Sequence, residues 1–175
     1  MRTIVGTLLV WASTASLAAG VPLADDDRAV LMQRAAAYVK AFDDADAEAY
    51  VALTHPAIYR LLPDKAELLP AVQRAMKRIH SLGIVTENYS LYPPNECYAA
   101  GTELVCFLRR VIITVLGGKR DEGQGYLLAG RDMSTASPWL FLDSDGFRQN
   151  PQRLFEFFPA LSLDVKPPPI VLAPK

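Results

Sequence analysis

Cys97 and Cys106 are the only two cysteines in this chain of 175 residues, and their spacing suits a disulfide. The residues between them are typical of a two-residue hairpin turning at Gly101 and Thr102. Counting outward from that turn places Cys97 opposite Cys106 at a non-hydrogen-bonded pair, where Cα atoms approach to about 4.5 Å. That separation lies within the range of disulfide geometry. The sequence therefore predicts a cross-strand disulfide.

Other residue types that carry chemistry are sparse. The two histidines, His55 and His80, are far apart, and neither has a partner at metal-ligand spacing. We expect His55 to cap a helix end, with a catalytic role as the alternative, and His80 to lie in a last helical turn. No serine occupies a Gly-x-Ser-x-Gly turn, and residues 117–118 suggest a hairpin loop, not a phosphate cradle. We expect no metal and no cofactor.

The first 20 residues are typical of a secretory signal peptide. Arg2 supplies a positive start, residues 4–11 are apolar, and residues 15–20 offer small side chains for cleavage. A buried first helix is the alternative interpretation. Because the apolar run is shorter than the roughly 20 residues of a membrane span, we expect a protein without a membrane anchor. Export to the periplasm or outside the cell agrees with a disulfide.

Removing the signal leaves about 155 residues, which is the size of one domain. We expect this domain at 25–160 and an extended tail at 161–175. The whole chain has 18 Lys and Arg against 19 Asp and Glu, a balance that argues against nucleic-acid or anionic-membrane partners. The basic pairs at 109–110 and 119–120 are expected to be solvated, the first on a strand and the second in a loop.

Three helices are predicted in the first half of the chain. Apolar residues at helical spacing indicate one helix over 25–42 and a short second one over 47–53. Residues 57–61 suggest a short strand. The third helix begins with capping-box spacing from Asp64 and ends at Gly83, which suits the left-handed position after a last turn.

The second half predicts strands. They are expected at 85–92, 97–100, 104–115, 125–133 and 139–142, with a polar connection over 117–124. Asn150 followed by proline indicates a short helix through Phe158, and the proline-rich end is expected to be extended. The predicted fold class is α+β, with three N-terminal helices packed on a curved antiparallel sheet of four to six strands.

Three local features resemble the nuclear-transport-factor-two-like superfamily, which includes SnoaL-like and ketosteroid-isomerase-like proteins. They are residues 42–46 after the long helix, residues 54–56 closing the short helix, and the late strand pair 125–128 and 139–143. The resemblance implies a cone-shaped fold with a conical pocket, and by analogy a homodimer. Because members include enzymes and binding modules, it does not assign a chemistry.

Isomerases of this superfamily use a carboxylate base and a tyrosine or protonated carboxyl as oxyanion donor. The candidates that the resemblance implies here are His55, Tyr59, Tyr98, Tyr126 and Asp132. Strand alternation places Tyr126 and Asp132 on one face, which would let both line the pocket. The alternative is that Asp132 ends a strand in solvent and Tyr126 belongs to the core. No catalytic motif of the family is matched, so no residue is assigned a catalytic role.

Trp139 belongs to an aromatic group that either binds an apolar ligand or packs the last helix on the sheet. We predict an exported protein that binds a small apolar molecule or a protein partner without catalysis. An isomerase or lyase, and a periplasmic inhibitor or immunity-type protein, are the alternatives. An enzyme needs polar groups converging inside a cavity and a binder a mostly apolar lining, whereas an interaction protein needs an exposed apolar patch.

Overall fold

The computed structural model describes residues 20–135, 137–144 and 150–167. The predicted signal peptide, apart from Gly20, and the tail from residue 168 lie outside these residues. The helices are α1 (Asp25–Asp43), α2 (Ala47–Ala52), α3 (Leu68–Ser81) and α4 (Leu154–Phe157). The strands are β1 (Val85–Tyr92), β2 (Cys97–Ala100), β3 (Glu103–Leu116), β4 (Lys119–Asp132) and β5 (Leu140–Asp143). The predicted α+β class is confirmed, because the helices pack against a five-stranded antiparallel sheet.

Local signals account for the first two helices. Three aspartates occupy the first turn of α1, where negative charge suits the helix dipole. Leu31, Ala35 and Tyr38 then fall on one face and are buried. The side chain of Asp46 accepts a hydrogen bond from the Ala49 N–H at 3.0 Å, which begins α2. In the part of the chain that is described, no helix combines the length and apolarity of a membrane span.

The strand predicted at 57–61 is wrong, because Pro56–Leu61 forms a 3₁₀ helix. The His55 ring accepts a hydrogen bond from the Ala57 N–H at 3.2 Å, as an N-cap residue does. Pro56 occupies the first helical position, where its fixed φ favours helix and its missing N–H costs nothing. These two residues are a helix start, so the apolar run after them continues as helix.

The sheet has the order β1-β3-β4-β5, and β1 and β2 share one edge of β3. β1 pairs with residues 109–115 of β3, and β2 pairs with residues 103–106. The polar connection predicted at 117–124 is wrong beyond Gly118, because β4 already begins at Lys119. Gly117 and Gly118 have φ values of 57° and 78°, as a tight hairpin turn requires.

The predicted disulfide is confirmed. Cys97 pairs with Cys106 in the antiparallel register of β2 and β3, and their Cα atoms are 4.3 Å apart. Both cysteines are fully buried. A disulfide of this kind is compatible with an extracellular or periplasmic protein.

Alternation along β3 divides the core into two layers. Leu104, Cys106 and Leu108 pack with α1 on one side of the sheet, called here the helix face. Val105 and Phe107 point to the other side, where the C-terminal segment covers them. Each side of this half of the sheet is therefore packed.

The C-terminal segment is folded beyond its short helix. The Asn150 side chain accepts a hydrogen bond from the Gln152 N–H at 3.2 Å, as expected for a helix start. Leu161 and Val165, at the start of the predicted tail, are buried in the second layer. Leu161 also forms an isolated bridge with Ala100 of β2. Residues 161–165 therefore contribute to the core.

Candidate functional site

A cavity of about 210 Å³ lies between the helices and the helix face of the sheet. It opens beside the packed core, where the last turn of α1 extends over the part of the sheet formed by β1 and the second half of β3. Its lining residues come from α1, α2, the end of α3 and the sheet: Tyr38, Val39, Phe42, Asp43, Tyr50, Ile79, Ile84, Thr86, Tyr89, Arg110, Ile112, Thr114 and Asp143. The walls are mostly apolar, with polar groups at two places.

Strand register builds the sheet wall of this cavity. Arg110, Ile112 and Thr114 alternate along β3 and so share the helix face with Cys106 and Leu108. Their partners on β1 are lateral neighbours on the same face, with Ile112 opposite Tyr89 and Thr114 opposite Thr86. The cavity therefore lies on the same helix face of the sheet as the buried core, next to the part of that face that α1 covers.

A buried ion pair forms the inner polar group. Arg110 is only 2% exposed, and its Nη1 donates to the Asp143 carboxylate. Gly125 lies opposite Arg110 on β4. A Cβ at Gly125 would lie 3.4 Å from the Arg110 Nε and 3.2 Å from the Ser144 Oγ, so glycine leaves room for the guanidinium. A charge this deeply buried needs its partner, and the pair as a whole is neutral.

Two tyrosines stack beside this pair. The rings of Tyr38 and Tyr50 have centroids 4.3 Å apart and an interplanar angle of 25°, and their side chains are hydrogen-bonded to each other. Burial, assisted by the negative charge of Asp143, raises the pKa of both hydroxyls. Both tyrosines therefore remain neutral donors and acceptors at ordinary pH.

Asp43 forms the outer polar group, at the mouth of the cavity. It is the last residue of α1 and is exposed. Thr86 hydrogen-bonds to its carboxylate, and partial loss of solvent raises the pKa of Asp43 above 3.8. A second depression of about 580 Å³ continues from this mouth between α1 and β1, and it shares Val39, Asp43 and Tyr89 with the cavity.

His55 lies outside this cavity, in the second core layer. Its ring is 4% exposed and packs near Phe158. Because Nδ1 accepts from Ala57, the ring proton is on Nε2, which lies 3.3 Å from the Glu103 Oε1. Burial, with a contribution from the Arg60 charge, lowers the pKa of His55 to about 4. Neutral His55 therefore caps the start of the 3₁₀ helix and lies beside Glu103 of β3.

The three predicted tyrosines also lie away from the cavity. Tyr59 is half-buried on the 3₁₀ helix, with the Lys65 Nζ 5.4 Å from its ring centroid. Tyr98 on β2 donates to Glu96 at 2.5 Å, and this hydrogen bond raises the pKa of Tyr98 to about 12. Tyr126 is fully buried among the second core layer, and its hydroxyl has no hydrogen-bond partner among the described residues.

Asp132 and Trp139 complete the predicted set. Asp132 ends β4 and accepts hydrogen bonds from the backbone and side chain of Ser134, which lower the pKa of its carboxyl. Trp139 is buried in the helix-face core, with the Arg131 guanidinium 4.6 Å from its ring centroid. Tyr126 and Asp132 share a strand face as expected but are six residues apart, about 20 Å along a strand. The structure brings Tyr98 and Tyr126 to the two sides of Phe107 and leaves the other predicted residues apart.

The sequence interpretation missed Arg110, because residues 109 and 110 were both expected to be solvated. Arg109 is exposed and lies over the Tyr92 ring, with 4.2 Å from its Cζ to the centroid, whereas Arg110 is buried. The alternation of side chains along β3 could have predicted that Arg110 is buried. Arg110 is an even number of residues from buried Cys106, so the two must share a face.

Comparisons with known proteins give this site no relative. Neither the family models, nor the curated proteins, nor the solved structures contain a match to the chain. Within the described residues, no three His, Cys, Asp or Glu side chains are grouped closely enough to hold a metal ion.

Proposed function

We propose that this chain is an exported protein that binds a small molecule in the cavity between α1 and β3 and does not transform it. The cavity itself carries the proposal. Its walls are mostly apolar, and its inner end presents a neutral Arg110–Asp143 pair and two neutral tyrosines. Pockets that bind small molecules have this composition, an apolar lining with a few placed polar groups.

The volume limits the ligand. A cavity of about 210 Å³ is smaller than the roughly 300–1,000 Å³ of pockets for drug-sized molecules. It is larger than the cavity of about 150 Å³ that holds benzene in an engineered protein. A ligand with one ring or a short branched chain fits this space, and the depression between α1 and β1 offers room for an extension.

Membership of the nuclear-transport-factor-two-like superfamily is part of this proposal. It is supported by the order of elements, with three helices before an antiparallel sheet, and by a cavity between the helices and the sheet. Export is supported by the character of residues 1–20 and by the disulfide. No contact or cavity of the described residues specifically favours a protein partner, an inhibitor role or a homodimer.

Native mass spectrometry of the purified mature protein tests the proposal. We expect a retained molecule that leaves on denaturation. Ile112→Trp should abolish retention because the larger side chain fills the cavity. Ile113→Trp is the matched control, since Ile113 is the next residue of β3 and points to the opposite face. Equal retention by the two variants would show that the molecule binds elsewhere.

A second candidate is an isomerase or lyase with Asp43 as general base. Partial desolvation of the Asp43 carboxyl raises its pKa, which favours proton transfer. Polar groups also converge on the cavity, as an enzyme requires. The molecule recovered from the protein, incubated with it in deuterated water, should then exchange a carbon-bound proton. Exchange that is absent from wild type argues for binding without catalysis, and exchange that is unchanged in Asp43→Asn shows that Asp43 is not the base.

A further inference from the structure

We infer that the ligand of the cavity is a small organic cation, a protonated amine carried on an apolar body. This inference rests on the proposed function and names the chemical class of the ligand. It follows from the distribution of charge around the cavity.

The cavity carries one unbalanced charge. Of its three charged lining residues, Arg110 and Asp143 neutralise each other. Asp43 receives a hydrogen bond from Thr86, and Lys40 and His80 act on it electrostatically, but no salt bridge within 4.0 Å joins it to a basic nitrogen among the described residues. Lys40, one turn away on α1, pairs with Asp44 at 2.5 Å and so is already balanced. The mouth of the cavity is therefore negative.

The end of α1 adds to this negative potential. Asp43 is the last residue of a 19-residue helix, whose C-terminus carries a partial negative charge of about half an elementary charge. A cation at the mouth would face both the carboxylate and the helix end. A carboxylate has two oxygens with several lone-pair directions, so Asp43 can accept from an ammonium while it keeps its bond from Thr86.

The remaining wall suits the body of such a ligand. Phe42, next to Asp43 in the chain, contributes an aromatic ring 5.6 Å from that of Tyr50, and Ile79 and Ile112 contribute aliphatic surface. Aromatic rings attract organic cations as well as apolar groups. An ammonium at Asp43 thus leaves its apolar substituent against an apolar wall.

Other ligand charges fit less well. An anion would pass the Asp43 carboxylate to reach an arginine that Asp143 already neutralises. A neutral molecule would gain no ionic attraction from the charge at the mouth. The cation is the one class that complements each part of the lining.

Three probes of equal shape and different charge test the inference: 2-phenylethylamine, 2-phenylethanol and phenylacetate, titrated calorimetrically into the dialysed mature protein at pH 7. We expect the amine to bind about tenfold more tightly than the alcohol, which corresponds to one charge-assisted hydrogen bond. Asp43→Asn should remove that preference, so that the amine and the alcohol bind with similar affinity. Asp44→Asn, the same substitution at the next residue, should retain the preference.

The outcomes separate the two proposals. Equal or tighter binding of the alcohol or phenylacetate to wild type would overturn the cation inference and leave cavity binding intact. An amine preference that persists in Asp43→Asn would also overturn it. If none of the three probes shifts the methyl resonances of Ile112 at millimolar concentration, the cavity does not admit small molecules, and both proposals fail.

Discussion

Acidification from pH 7 to pH 5 should destabilise this protein through His55. The ring is buried, and its pKa falls from 6.5 to about 4 in the folded chain. The unfolded chain therefore binds a proton more tightly than the folded chain does. The neutral His55 ring therefore contributes fully to the free energy of unfolding above pH 6.5, and this contribution is lost progressively as the pH falls toward 4.

The magnitude follows from the shift. One pKa unit corresponds to about 1.4 kcal/mol, so the full effect of the His55 shift is about 3 kcal/mol. At pH 5, with the unfolded ring almost fully protonated and the folded ring mostly neutral, we expect a loss of about 2 kcal/mol in the free energy of unfolding. That is a large share of the roughly 5–15 kcal/mol of a typical domain.

Urea unfolding followed by tryptophan fluorescence measures this loss, because Trp139 is the only tryptophan of the described residues and is buried. His55→Asn is the control variant. Its side-chain oxygen can still cap Ala57, but it does not titrate. The two proteins share every carboxylate, including Glu103 and Asp43, whose pKa values are raised mainly by desolvation. If both proteins lose the same stability between pH 7 and pH 5, the histidine is not the cause.

Three further perturbations test the disulfide, the buried ion pair of the cavity and the packing against His55. Cys97→Ala with Cys106→Ala should lower the free energy of unfolding by about 2–3 kcal/mol in urea titrations, because a short closed loop is released. Asp143→Asn should cost about 2 kcal/mol in the same assay, less than for a fully buried pair because the carboxylate is 32% exposed; no change would mean that Arg110 finds another partner. Gly130→Ala should lower stability by about 1–3 kcal/mol and the midpoint temperature with it, since its Cβ would lie 2.9 Å from the His55 ring.

Local patterns in the sequence predicted what local chemistry determines. The hairpin register followed from the turn at Gly101 and the period of two along a strand, so Cys97 and Cys106 could be paired without a structure. The α+β class followed from helices that precede strands. His55 was expected to cap a helix end, with the short second helix closing at residues 54–56; that His55 instead begins a 3₁₀ helix in place of a strand was not foreseen.

The first half of β4 escaped prediction because its environment, not its composition, makes it a strand. Residues 119–122 are polar and exposed, which resembles a loop. They are held by backbone pairing with residues 113–116 of β3, and that pairing is specified by the glycine turn at 117–118. Their side chains remain exposed in the part of the chain that the structure describes, so the sequence has no apolar alternation at that point to reveal the strand.

The cavity escaped prediction for a related reason. Strand alternation indicates that Arg110, Ile112 and Thr114 share a face with Cys106, but it does not indicate over which part of the sheet the covering helix lies. That end is set by Asp43, where the last turn of α1 extends past the filled core and leaves a space over the sheet. The charge that neutralises Arg110 comes from Asp143, 33 residues away and two strands over. The site lies where the end of α1 passes above the middle of β3, and the sequence alone does not give that arrangement. Arg110 was therefore expected to be solvated.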